Sequence, residues 1–91
     1  MDLGLRGRKA IVCAASKGLG RACAEALAAE GVDLVLNART ATPLQQAAAE
    51  IAAAHGVRAV AVAGDIGDGA VRDALIAACP APDILVNNAG G

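Results

Sequence analysis

The sequence predicts an α/β fold, a doubly wound parallel sheet with the order β-α-β-α-β-α-β. Three observations carry that expectation. Four short apolar runs alternate with three stretches whose apolar residues recur at helical spacing. The runs are continuously apolar, as strands are when helices cover both faces of a sheet. The residues after each run are glycine or polar, whereas the opposite ends look like ordinary turns.

The first strand is expected at Lys9–Ala14, where Ala10, Ile11, Val12 and Cys13 are consecutive. A loop, Ala15-Ser16-Lys17-Gly18, leads into the first helix. Leu19, Ala22, Cys23, Ala26 and Leu27 fall at i, i+3, i+4, i+7 and i+8, so the sequence assigns them to the buried stripe. Arg21 and Glu25 fall on the wet face, and Gly31 ends the helix. Leu34–Leu36 is the second strand. Thr42-Pro43 reads as a helix start, Thr as N-cap and Pro in the first turn. Leu44, Ala47, Ala48, Ile51 and Ala52 form its stripe, and His55-Gly56 closes it. Ala59–Ala63 is the third strand. Asp68 caps a third helix with the stripe Val71, Ala74, Leu75, Ala78 and Cys79, stopped by Pro80 and Pro82. Ile84–Val86 is the fourth strand and runs into Asn87-Asn88-Ala89-Gly90-Gly91.

Composition narrows the function classes. The 91 residues make one small domain, 56% hydrophobic and 19% charged, which is a globular balance. Alanine fills 25 positions, suiting helices that pack close to a flat surface. There is no Phe, Tyr or Trp, which excludes base stacking on aromatics and tyrosine chemistry within these residues. A net charge of −1 speaks against a nucleic-acid or anionic-membrane surface. The three cysteines, Cys13, Cys23 and Cys79, form no C-x-x-C pair, so no disulfide framework or zinc site is expected. A reducing, cytoplasmic setting is expected. The start lacks the apolar stretch of a secretory leader, and no apolar run approaches the roughly 20 residues that span a bilayer.

In open α/β sheets ligands bind outside the carboxyl ends of the strands. Gly18 and Gly20 stand where the first helix begins, and helix N–H groups favour an anion such as a pyrophosphate. Ser16 is placed to cap that helix or to hydrogen-bond a loop carbonyl or a ribose. NAD-binding folds place a carboxylate about 20 residues past the glycines. Here the residues are Ala38 and Arg39, and Asp33 comes too early. Arg39 and Lys17 instead suit a 2′-phosphate, which favours NADP over NAD. Asp65, followed by Ile66, is placed either to accept from an adenine amino group or to close a turn before Gly67. Asn87 and Asn88 suit a brace between strand ends, and Gly90 leaves room for a ribose. His55 reads as a helix-end residue and Cys13 as a small buried hydrophobe.

Together these residues resemble the classical short-chain dehydrogenase/reductase family across Gly7 to Gly91. The family pattern T-G-x-x-x-G-x-G lies over Cys13-Ala14-Ala15-Ser16-Lys17-Gly18-Leu19-Gly20, with Cys13 for Thr and Ala14 for the first Gly. N-N-A-G is intact at Asn87-Asn88-Ala89-Gly90. The resemblance implies the N-terminal half of a Rossmann-type fold, with residues 1–91 as an NADP-binding half-domain. It implies a cofactor site of Ala15, Ser16, Lys17, Gly18, Leu19, Gly20, Arg39, Asp65, Ile66, Asn88, Ala89 and Gly90, with NADP(H) as the cofactor.

It further implies an enzyme that reduces a carbonyl or oxidises an alcohol on a small molecule. The group similar to 3-oxoacyl-[acyl-carrier-protein] reductases comes nearest, and a homo-oligomer, dimer or tetramer, is expected. The family's Ser, Tyr, Lys and Asn catalytic residues lie beyond the N-N-A-G motif, so the 91 residues alone are expected to be inactive. A non-catalytic nucleotide-binding or redox-sensing module on the same fold is the alternative.

Overall fold

The computed structural model describes residues 6–13 and 18–87. Seven elements follow in order: β1 (Lys9–Cys13), α1 (Gly18–Ala29), β2 (Asp33–Ala38), α2 (Ala41–His55), β3 (Ala59–Ala63), α3 (Gly69–Ala78) and β4 (Ile84–Val86). The strands form one sheet in the order β3-β2-β1-β4, every pair parallel. In such a sheet all four carboxyl ends lie along one edge and all amino ends along the other.

The pleat divides the core into two layers. Ala10, Val12, Leu34, Leu36 and Ala38 face α1 and α2, where they meet Ala24, Ala28, Leu44, Ala48 and Ile51. Ile11, Cys13, Val35 and Val62 face α3 through Leu75 and Cys79. The continuous apolar runs are thereby explained: successive residues of the central strands enter different layers, and both layers are covered.

The observed strand β2 is longer than the apolar run Leu34–Leu36, because Asp33, Asn37 and Ala38 also pair with their neighbours. Helix α2 begins earlier than Thr42-Pro43 suggests. Its N-cap is Thr40, in extended conformation and without a side-chain cap bond, so Pro43 sits inside the first turn. Asp68 caps α3 as expected, its carboxylate accepting from the Ala70 amide at 2.9 Å.

The expected stripe of α1 is corrected. The buried residues are Gly20, Ala24 and Ala28, with Leu27 packed beside them, while Leu19 is 71% exposed and Ala22 and Ala26 lie on the outside. The helix is apolar almost all round, so periodicity alone does not select a face. The smallest side chains win the sheet-facing positions because they allow the closest approach to β1 and β2. The α3 stripe is likewise narrower than expected. Leu75 and Cys79 are buried and Val71 half-buried, but Ala74 and Ala78 are exposed.

The amino edge is more polar than ordinary turns would make it. The Asp83 carboxylate accepts from the Lys9 amide at 2.9 Å and pairs with Arg8 at 3.4 Å. Asp33 accepts from the Arg58 amide at 3.0 Å. These contacts tie β4 to β1 and β2 to β3 at their starts.

Candidate functional site

The carboxyl ends of the four parallel strands lie along one edge, and the end of β2 is its best-defined part. Asn37 is 3% exposed, the one buried polar side chain among the described residues. Its amide nitrogen donates to the carbonyl of Val62 at 3.0 Å and to that of Gly64 at 3.1 Å. The Gly64 amide in turn donates to the Ala38 carbonyl at 2.9 Å. The ends of β2 and β3 are thus tied together by both main chain and side chain.

Gly64 has φ +136, and a Cβ there would sit 2.5 Å from a methyl of Val71. Both the backbone conformation and the space exclude a side chain. The turn therefore passes directly over the start of α3 and delivers Asp65 to the rim. One carboxylate oxygen of Asp65 accepts from the Gly67 amide at 2.8 Å, and the Asp65 carbonyl accepts from the Asp68 amide at 2.9 Å. Of the two roles the sequence left open for Asp65, the turn is present. Ile66 is half-buried and packs into the layer beneath α3.

Arg39 follows β2 and is exposed. It forms no ion pair among the described residues. By contrast Arg21, on α1, is engaged by Glu50 of α2 at 2.8 Å and by Glu25 at 3.8 Å, and those partners hold its guanidinium more firmly protonated. Among the described residues the carboxyl edge therefore keeps a positive charge that no carboxylate pairs.

Gly18 opens α1 at φ +63, and nothing lies within 4 Å of where its Cβ would be. The first amides of a helix lack intrahelical acceptors, and such amides favour an anion. Leu19 is exposed and Gly20 is buried. Ala15, Ser16 and Lys17 lie outside the described residues, as do Asn88, Ala89 and Gly90. Asn87, which ends β4, is exposed on the same edge.

Sequence reasoning gave Asn37, at the carboxyl end of the second strand beside Ala38 and Arg39, no role of its own. Its signal was a lone amide in an otherwise apolar strand, next to the cationic end. Cys13 pairs in register with Asn37 and is buried, and that burial pushes its thiol up, which disfavours the thiolate a nucleophile needs. His55 ends α2, which returns to the amino edge, away from the site. A shallow pocket at that amino edge is lined by Lys9, Asp33, Arg58, Val60 and Cys79, and it shares none of the carboxyl-edge residues. Among the described residues no group of His, Cys, Asp and Glu could hold a metal ion, and no helix is long and apolar enough to cross a membrane.

A family model described as short chain dehydrogenase matches residues 8–91. L-xylulose reductase of Mesocricetus auratus is 39% identical over 89 residues, covering 98% of this chain and 34% of that protein. A hydroxyacyl-CoA dehydrogenase of Mycobacterium tuberculosis is 43% identical, covering 94% of this chain and 29% of that protein. Among solved structures, L-sorbose reductase from Gluconobacter frateurii, complexed with NADPH and L-sorbose, superposes with a TM-score of 0.90 at 39% identity. That match covers 100% of this chain and 36% of the other. The chain spans about a third of the length of the curated relatives it matches.

Proposed function

The chain belongs to the short-chain dehydrogenase family, and from that premise we propose that its carboxyl edge binds NADP(H) for hydride transfer between the nicotinamide and the carbonyl or alcohol carbon of a small molecule. The observation that carries the cofactor reading is the end of β2. It presents the exposed, unneutralised Arg39 where NAD-binding folds place a carboxylate. NADPH in the structure of L-sorbose reductase supports the same choice.

In this reading the first amides of α1, from Gly18 to Gly20, receive the pyrophosphate, together with Ala15 and Ser16. Arg39 and Lys17 hold the 2′-phosphate, and Asp65 and Ile66 form the adenine wall. Asn88, Ala89 and Gly90 line the ribose side. The bound nicotinamide supplies or accepts the hydride. The chain has no tyrosine, so these 91 residues do not supply a tyrosine as proton donor.

The substrate class is a small carbonyl compound or the matching alcohol, with a 3-oxoacyl thioester as one member. A homo-oligomeric parent in the cytoplasm completes the reading.

The test is cofactor preference in the full-length protein. A charge-assisted phosphate contact contributes on the order of 1.5–3 kcal/mol, so NADPH should bind roughly 10- to 100-fold more tightly than NADH. Arg39→Asp should reverse most of that difference. Equal dissociation constants for the two cofactors in the unmutated protein would exclude the proposed role of Arg39.

A further inference from the structure

A primary amide buried among apolar side chains is costly unless its donors are satisfied. Asn37 meets that demand with two carbonyls of the neighbouring strand, Val62 at 3.0 Å and Gly64 at 3.1 Å. Both bonds join the end of β2 to the end of β3. The tie falls between two rim residues, because Arg39 lies two residues after Asn37 and Asp65 follows Gly64.

We propose that Asn37 is a positioning residue for cofactor selectivity: by clamping the Gly64 turn to the end of β2, it sets the gap between the Arg39 cation and the Asp65 wall. The proposal rests on the NADP(H) reading above and assigns that site's geometry to a side chain that touches no ligand. The neighbouring features need such a clamp. Gly64 lies in backbone space that side chains rarely enter, and glycine there leaves the turn the most freedom to lose. The main-chain bond from Gly64 to Ala38 fixes one point only. The two bonds from Asn37 fix the carbonyls on either side of Ala63, and so the direction in which the turn leaves the sheet. The Asp65–Gly67 and Asp68–Ala70 contacts carry that direction into the start of α3.

A ligand that reaches from the adenine wall to the 2′-phosphate cation should be sensitive to this gap. A ligand anchored chiefly on the α1 amides should be less so. The experiment therefore measures two dissociation constants in the full-length protein, for adenosine 2′,5′-bisphosphate and for ADP. Asn37→Leu keeps the branched shape and the number of heavy atoms and removes the donors. It should weaken the bisphosphate about tenfold and ADP by no more than about threefold. Asn37→Ser, smaller and with one donor, should lie between, and it replaces the leucine variant if that chain does not fold.

A change of equal factor for both ligands, or no change, would overturn the positioning role and leave the NADP(H) reading standing. If the unmutated protein binds the bisphosphate no more tightly than ADP, the 2′-phosphate reading itself fails, and the role of Asn37 falls with it. A melting point lowered with both constants unchanged would make Asn37 purely structural.

Discussion

Asp65 shows how far one residue can be read from sequence. Its place after an apolar run marked it as a rim residue, and two roles fitted it equally: a turn before Gly67, or an acceptor for adenine. The structure contains the turn bond, 2.8 Å from the Gly67 amide. The two roles separate by substitution. Asp65→Asn keeps an oxygen for the Gly67 amide but loses the carboxylate. It should weaken NADPH and NADH by similar factors, because adenine is common to both, and leave the melting temperature nearly unchanged; titration calorimetry and a thermal scan would measure these. Asp65→Ala should lose both the binding and the turn. The bonds of Asn37, by contrast, were not legible. Its partners lie 25 and 27 positions away, and only the pairing of β2 with β3 brings them together. Gly64→Ala should destabilise by roughly 1–3 kcal/mol in a denaturant titration, since it forces both an unfavourable φ and a clash with Val71.

At the scale of elements, strand order and helix order were legible and helix facing was not. The runs Ala59–Ala63 and Ile84–Val86 became β3 and β4 unchanged, because apolar runs with flanking turn residues leave little freedom. Helix α1 offered at least two apolar stripes, and the choice between them depends on how near the sheet lies, which periodicity does not encode. The buried small stripe predicts an asymmetry. Ala24→Leu, at a fully buried position, should cost roughly 1–3 kcal/mol by overpacking. Ala26→Leu, on the exposed side, should stay within about 0.5 kcal/mol.

The amino-edge clamp makes a pH prediction at the same scale. The Lys9 amide, and beside it Arg8, holds the Asp83 carboxyl below its usual 3.8. A carboxylate with a lowered folded pKa adds stability above its unfolded pKa and loses it as pH falls through the folded value. The stability gap between the unmutated protein and Asp83→Ala should therefore be constant near neutrality and narrow on acidification below about pH 4. Urea titrations at several pH values would follow it. A gap unchanged down to pH 2 would contradict the linkage.

At the scale of the whole molecule, several large apolar side chains stay exposed. Leu85 on β4 is 65% exposed and Ile76 on α3 is 59% exposed, with Leu19 exposed at the start of α1. Burying one such side chain contributes about 1.5–3 kcal/mol, against a total of roughly 5–15 kcal/mol for a small domain. Residues 1–91 expressed alone should therefore associate or melt without a sharp transition, and should not oxidise NADPH. A monomeric, cooperatively melting peptide of these residues would contradict that expectation. The parallel strands place all four carboxyl ends on one edge, which is where the proposed site lies. The central claim is that this edge is built for a 2′-phosphorylated dinucleotide, and a crystal structure of the full-length protein with NADPH tests it most directly. The account predicts the 2′-phosphate within hydrogen-bonding distance of the Arg39 guanidinium, with the adenine against Asp65. A 2′-phosphate turned to solvent, or a cofactor seated away from the end of β2, would contradict it.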